Sequence, residues 1–130
     1  MTLHLTLKKR WFEMILRGEK KEEYREIKPY WFMRLIYKPE KVMNYFGITE
    51  KPINQYCVDR IINHHAIMYG FNPIDTIVFK QGYSKNAPMV EVECRGIEVE
   101  RTKSEWCDEG EVKVFVLKLG DILFFKNCNP

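Results

Sequence analysis

Leu3, Leu5 and Leu7 alternate with His4 and Thr6, the two-residue period of a strand that buries one face. The period then changes. From about Lys8 to Arg17 the apolar positions Trp11, Phe12, Ile15 and Leu16 recur at helical spacing, and Gly18 follows as a left-handed C-terminal stop. The next stretch, Glu19 to Glu26, carries charge too densely for an interior strand, with Tyr24 and Ile27 as its apolar anchors. It reads as a loop that becomes a strand. Pro29 suits the first turn of a helix, where its missing N–H costs nothing. A second helix is predicted from there through Tyr37, with Trp31, Phe32, Leu35 and Ile36 on its apolar side.

Between residues 40 and 73 the pattern weakens, punctuated by Gly47, Pro52, Gly70 and Pro73, and a helix is expected from about Asn54 to Tyr69. After Pro73 the texture is that of strands. Ile74 to Lys80 leads through Gly82, Asn86 and Pro88 into Val90, Val92 and Cys94, which alternate with Glu91, Glu93 and Arg95. Val112 to Leu119 predicts a further strand, Gly120-Asp121 a turn, and Ile122 to Phe125 the closing strand. Strands with helices gathered early in the chain suggest an α+β fold built on a small mixed or antiparallel barrel with flanking helices, not a parallel βαβ sheet.

Composition narrows this picture. A chain of 130 residues, 45% hydrophobic, closes one core, so a single domain over 1–130 is expected. No apolar run is long enough to span a bilayer and no signal-peptide core is evident, which predicts a soluble, cytoplasmic protein with no membrane partner. Cys57, Cys94, Cys107 and Cys128 form no CxxC pair, so neither a metal ribbon nor a disulfide framework is expected, and no cofactor is implied. The net charge of +3 is unevenly spread: residues 1–60 hold 13 Lys/Arg against 8 Asp/Glu, residues 61–130 hold 8 against 10. The first half also carries 10 of the 18 aromatic residues. Cations that neutralise phosphate, interleaved with rings that stack bases, suit single-stranded RNA.

The most informative string is Gly18-Glu19-Lys20-Lys21-Glu22-Glu23-Tyr24-Arg25, which fits G-x-K-x-x-E-x-R. In a strict strand Lys20 would face away from Glu23 and Arg25, because odd separations switch faces. A helix cap at Gly18 and a loop reaching about Lys21 would free Lys20 to join them. The three could then hold one another's charge and keep donors for phosphate or carbonyl oxygen. This motif resembles the signature of the ASCH family, relatives of the PUA fold. The early helix and the late Leu-Gly-Asp segment stand in the same order, and residues 40–73 look like a helical elaboration.

The resemblance implies a PUA-like barrel with a cleft for RNA or a modified nucleoside, with Gly18, Lys20, Glu23, Tyr24 and Arg25 as ligand-binding residues. Some small ASCH proteins are amidohydrolases that deacetylate N4-acetylcytidine with a Lys, a Thr and a Glu. Lys20 matches the first and Glu93 the last, whereas the threonine position is occupied by Glu23, so the expected hydroxyl nucleophile is missing. Lys20, Glu23 and Glu93 remain the catalytic candidates, with a carboxylate activating water and Lys20 and Arg25 steadying the oxyanion. An RNA- or nucleotide-binding module is the primary expectation. The hydrolase and a protein-interaction module, the latter signalled by an exposed apolar patch on the helix Pro29 to Tyr37, are the alternatives. Tyr83 and Lys85 in the turn after Gly82 offer a second rim for stacking and phosphate. His64 and His65 are adjacent and so point about 100° apart on a helix, which argues against a metal pair. The acidic stretch Glu98 to Glu111 is expected to be a solvated loop.

Overall fold

The computed structural model describes residues 1–64, 67–102 and 112–129, Val112 by its backbone alone. The architecture is mixed α+β, with nine elements among these residues: β1 (Thr2–Leu7), α1 (Lys9–Leu16), β2 (Glu22–Glu26), α2 (Pro29–Leu35), α3 (Pro39–Tyr45), α4 (Gln55–Asn63), β3 (Thr76–Gln81), β4 (Met89–Thr102) and β5 (Val112–Lys126). The five strands form one sheet in the order β1-β3-β4-β5-β2. β1 runs parallel to β3, while β3, β4 and β5 are successively antiparallel. Among the described residues the sheet is open, with β1 and β2 at its edges. No described helix is long and apolar enough to cross a membrane.

The chain divides into two compact units, Met1–Tyr24 with Ile74–Pro130, and Arg25–Pro73. In the first, Leu3, Leu5 and Leu7 of β1 turn to the core as their alternation requires, joined by Ile77 and Phe79 of β3 and by Trp11, Phe12, Ile15 and Leu16 of α1. β5 lies between two neighbours, and Val114, Phe115, Val116 and Leu117 are all buried, the continuous apolar run of a strand covered on both faces. In the second unit Phe32, Leu35, Ile36, Val42, Met43, Val58, Ile61 and Ile62 are buried. Trp31, expected on the buried side of α2, is only half-buried.

Four expectations are corrected. α3 lies where no helix was anticipated: Pro39 supplies its N1 position, and its seven residues bury only Val42 and Met43, too few to set a period. α4 begins as expected, Asn54 capping it by accepting the Cys57 N–H at 2.8 Å, but it ends at Asn63, before Ile67 and Tyr69. Gly120 and Asp121 make no turn; β5 runs through them as a single 15-residue strand. Glu98 to Thr102 belong to β4 and not to a loop, and the remainder of that acidic stretch, with Cys107, lies outside the described residues.

The Gly120 region is a bulge. The β4–β5 register shifts between Glu91 and Val92, between Val92 and Cys94, and between Cys94 and Gly96. A Cβ on Gly120 would stand 2.5 Å from Arg95 Nε and 2.9 Å from Glu93 Cβ. Glycine there answers a close approach across the sheet, not a reversal of the chain.

Candidate functional site

Where α1 ends decides where Lys20 goes. Arg17 closes the helix and Gly18 takes φ +76°. The Glu19 N–H donates back to the Met14 carbonyl at 2.9 Å and the Gly18 N–H to the Ile15 carbonyl at 3.0 Å, the paired bonds of a Schellman stop. The Lys20 N–H donates to the same Met14 oxygen at 3.1 Å. A Cβ on Gly18 would find only Lys21 Nζ, at 3.9 Å, so glycine is needed for its backbone conformation and not for space. β2 starts only at Glu22, and the delay releases Lys20 from strand alternation as the motif's spacing demanded.

Lys20 and Glu23 meet in a buried ion pair, their side chains 1% and 5% exposed. The Lys20 ammonium donates to Glu23 Oε1, which also accepts the Tyr24 N–H at 3.3 Å. Two rings flank the ammonium, Trp11 with its centroid 5.0 Å away and Tyr24 at 5.8 Å. Removing two charges from water is costly, and these hydrogen bonds and aromatic faces are what offset it. Trp11 counted in the sequence only as a core residue of α1; no local signal assigns it to Lys20.

Beside the pair lies a cavity of about 140 Å³. Gly18, Lys20 and Lys21 form one wall, Leu119 to Ile122 of β5 the other, with Ile15 and Val92 completing it. The Leu119 N–H donates to the Lys21 carbonyl at 2.9 Å and ties the two walls together. At the rim, Arg95 stands 3.6 Å from the exposed Asp121 carboxylate and 3.8 Å from Glu93. The cleft therefore presents charges of both signs, since Lys20 is matched by Glu23 and both Lys21 and Asp121 line the cavity.

The other predicted residues lie elsewhere. Glu93 is not among the residues that line this cavity; its carboxylate stands 3.8 Å from Arg95 at the rim. The Arg25 guanidinium sits 5.1 Å from the Trp31 ring centroid in the second unit. Tyr83 is 92% exposed in the turn after β3, and Lys85 is exposed two residues on; Tyr83 borders a separate hollow of about 260 Å³ with His4 and Lys80. His64 stacks on Phe46 at the end of α4, with 6.4 Å between centroids, and His65 lies outside the described residues. Among the described residues no three His, Cys, Asp or Glu side chains gather as metal ligands would.

A second charged network has no local trace in the sequence, because it needs three strands side by side. Lys118 of β5 stands 2.5 Å from Glu22 of β2 and 3.3 Å and 4.0 Å from Glu100 and Glu98 of β4. The Tyr24 hydroxyl donates to Glu22 at 2.7 Å. Partial burial alone would lift the Glu22 carboxyl, but the hydrogen bonds from Lys118 and Tyr24 and the nearby ammonium outweigh it and hold it below its ordinary value. The bond to Glu22, then that to Glu100, raises Lys118 despite partial burial. Glu98 is pushed up, first by the hydrogen bond it shares with Glu100 and then by that residue's charge, with Lys118 pulling the other way.

No family model matches the chain, and neither a curated protein nor a solved structure is significantly similar to it.

Proposed function

We propose that the cavity beside Lys20 receives the polar edge of a single base, in an RNA- or nucleotide-binding protein of the ASCH kind. In this reading residues 1–130 are one ASCH-type domain with an elaboration over 40–73, and the open sheet is its counterpart of a PUA-like barrel. One observation carries it: a lysine held by a helix stop and a buried carboxylate stands in the wall of a small cleft, with Lys21 and Asp121 at its mouth. Donors and acceptors are thus both available, which the Watson–Crick edge of an unstacked base requires. Size sets the scale of the ligand. At about 140 Å³ the cavity is well below the roughly 300–1,000 Å³ of sites that enclose drug-sized molecules. It suits one base, with the sugar and phosphate left outside.

The buried Lys20–Glu23 pair also supports hydrolysis of an acylated nucleoside as a second reading. It ranks lower because Glu93 stands outside the cavity and Glu23 Oε1 is already committed to two donors. Calorimetric titration with cytidine, N4-acetylcytidine and the other nucleosides tests both. The binding reading expects saturable binding that weakens in Lys21→Ala and Asp121→Asn, whose exposed side chains can be changed without disturbing the core. Release of acetate from N4-acetylcytidine would replace it with the hydrolase, and indifference to every nucleoside and to RNA would end both.

A further inference from the structure

The second compact unit carries a surface that the cleft does not use. Tyr30, Met33 and Arg34 share one face of α2, three and four residues apart, and that face is open: Tyr30 is 59% and Met33 38% exposed. The surface continues past the helix. Tyr37, also 38% exposed, donates its N–H to the Gly70 carbonyl at 3.0 Å, which brings the neighbouring Tyr69, 49% exposed, alongside it. The Asn72 side chain donates to the Arg34 carbonyl at 2.6 Å, so the 69–72 segment runs beside 34–37.

Each exposed ring has a cation of its own. Arg34 lies 5.3 Å from the Tyr30 centroid and donates to its hydroxyl at 2.9 Å; Lys38 lies 5.2 Å from Tyr37 and Lys41 5.8 Å from Tyr69. From Lys28 to Lys41 there are four cations against one carboxylate, Glu40. An apolar docking surface for a protein is depleted of lysine at its centre, because each ammonium would have to be desolvated. Here the cations alternate with the rings throughout.

We propose that this surface, Tyr30 through Tyr37 with Tyr69, docks single-stranded nucleic acid. The rings stack on successive unpaired bases while Arg34, Lys38 and Lys41 meet the phosphates between them. Stacking needs unpaired bases, so a duplex should bind far less well. The proposal rests on this unit's own surface and goes beyond the reading of the cleft.

Fluorescence anisotropy with a labelled 20-mer oligoribonucleotide, the matching oligodeoxynucleotide and a duplex of the same sequence tests it. Either single strand should bind more tightly than the duplex, and the preference between them identifies the natural sugar. Tyr30→Ala and Tyr37→Ala should each weaken binding about ten-fold, the scale of one base–ring stack, and Tyr30→Trp should restore it. With about three phosphates neutralised, raising salt from about 50 to 200 mM should cost about twenty-fold in affinity, and Lys38→Ala with Lys41→Ala should flatten that dependence. Duplex binding as tight as single-strand binding, or Tyr variants that bind like wild type, would overturn the proposal. So would variants that change only self-association, which would make the surface a protein interface. Nucleosides bound with no oligonucleotide bound would refute this surface and leave the cleft standing; oligonucleotide affinity lost in the Tyr variants, with no nucleoside bound, would do the reverse.

Discussion

Replacing Lys20 by methionine removes one charge of a pair whose members are 1% and 5% exposed, and leaves the Glu23 carboxylate buried without its ammonium. For a solvent-exposed pair such a change costs about 0–1 kcal/mol, but for a buried one about 3–5 kcal/mol, because the abandoned charge cannot return to water. The burial here selects the second regime. With a urea m-value of about 2 kcal/mol/M, an intermediate cost of about 4 kcal/mol lowers the unfolding midpoint by about 2 M. Glu23→Leu should be destabilising for the converse reason, although Trp11 and Tyr24 leave the orphaned ammonium some cation–π support. The double variant Lys20→Met/Glu23→Leu removes both charges together, and apolar groups of similar size in place of a buried pair are often neutral or stabilising. It should therefore be more stable than either single variant. Urea unfolding of all four proteins measures this as a double-mutant cycle. Single costs below about 1 kcal/mol that add up in the double variant would refute the reasoning, because they would show a solvated pair.

Gly120→Ala should destabilise by about 1–3 kcal/mol in thermal melts, as overpacking does, since its methyl would collide with Arg95 Nε and Glu93 Cβ. Arg95→Ala in the same chain should relieve that only in part, because Glu93 Cβ stays in place. Asn54→Ala should cost about 1 kcal/mol by removing the α4 cap on the Cys57 N–H, read by chemical denaturation. The Glu22 carboxyl titrates below its ordinary value of 4.5, so its contribution to stability is complete above that value and lost as pH falls through the folded value. Unfolding midpoints should consequently fall less steeply below about pH 4.5 in Glu22→Gln than in wild type.

What could be read from the chain was whatever depends on neighbours in sequence. The α1 periodicity and its Gly18 stop are local, and with them came the late start of β2 that brings Lys20 to Glu23. The alternation of Val90 and Val92 with Glu91 and Glu93 was equally legible: the two valines are buried and the two glutamates are half-buried. The resemblance suggested Glu93 as a partner of Lys20, but it is not among the residues that line the cavity beside Lys20. Gly120-Asp121 looked like a hairpin turn because glycine followed by aspartate is a reversal signal when nothing opposes it. Here β4 opposes it, with Arg95 occupying the space that a side chain would need. The Lys118 network depends on pairing between residues far apart, Lys118 and Glu22 being 96 positions apart, and had no local trace.

The parallel pairing of β1 with β3 has a consequence for the way the chain acquires its structure. Thr2 faces Thr76, 74 positions later, so β1 has no neighbour in the sheet until the chain up to β3 has been synthesised. Until then Leu3, Leu5 and Leu7 are a sticky apolar edge, and the loop to be closed encloses the whole 25–73 unit. Closing so large a loop is paid in chain entropy before the contacts reward it, which makes late docking of β1 a natural slow step in folding. A Lys or Glu at His4 or Thr6, on the solvent side of the same strand, would guard that edge during the wait without entering the core.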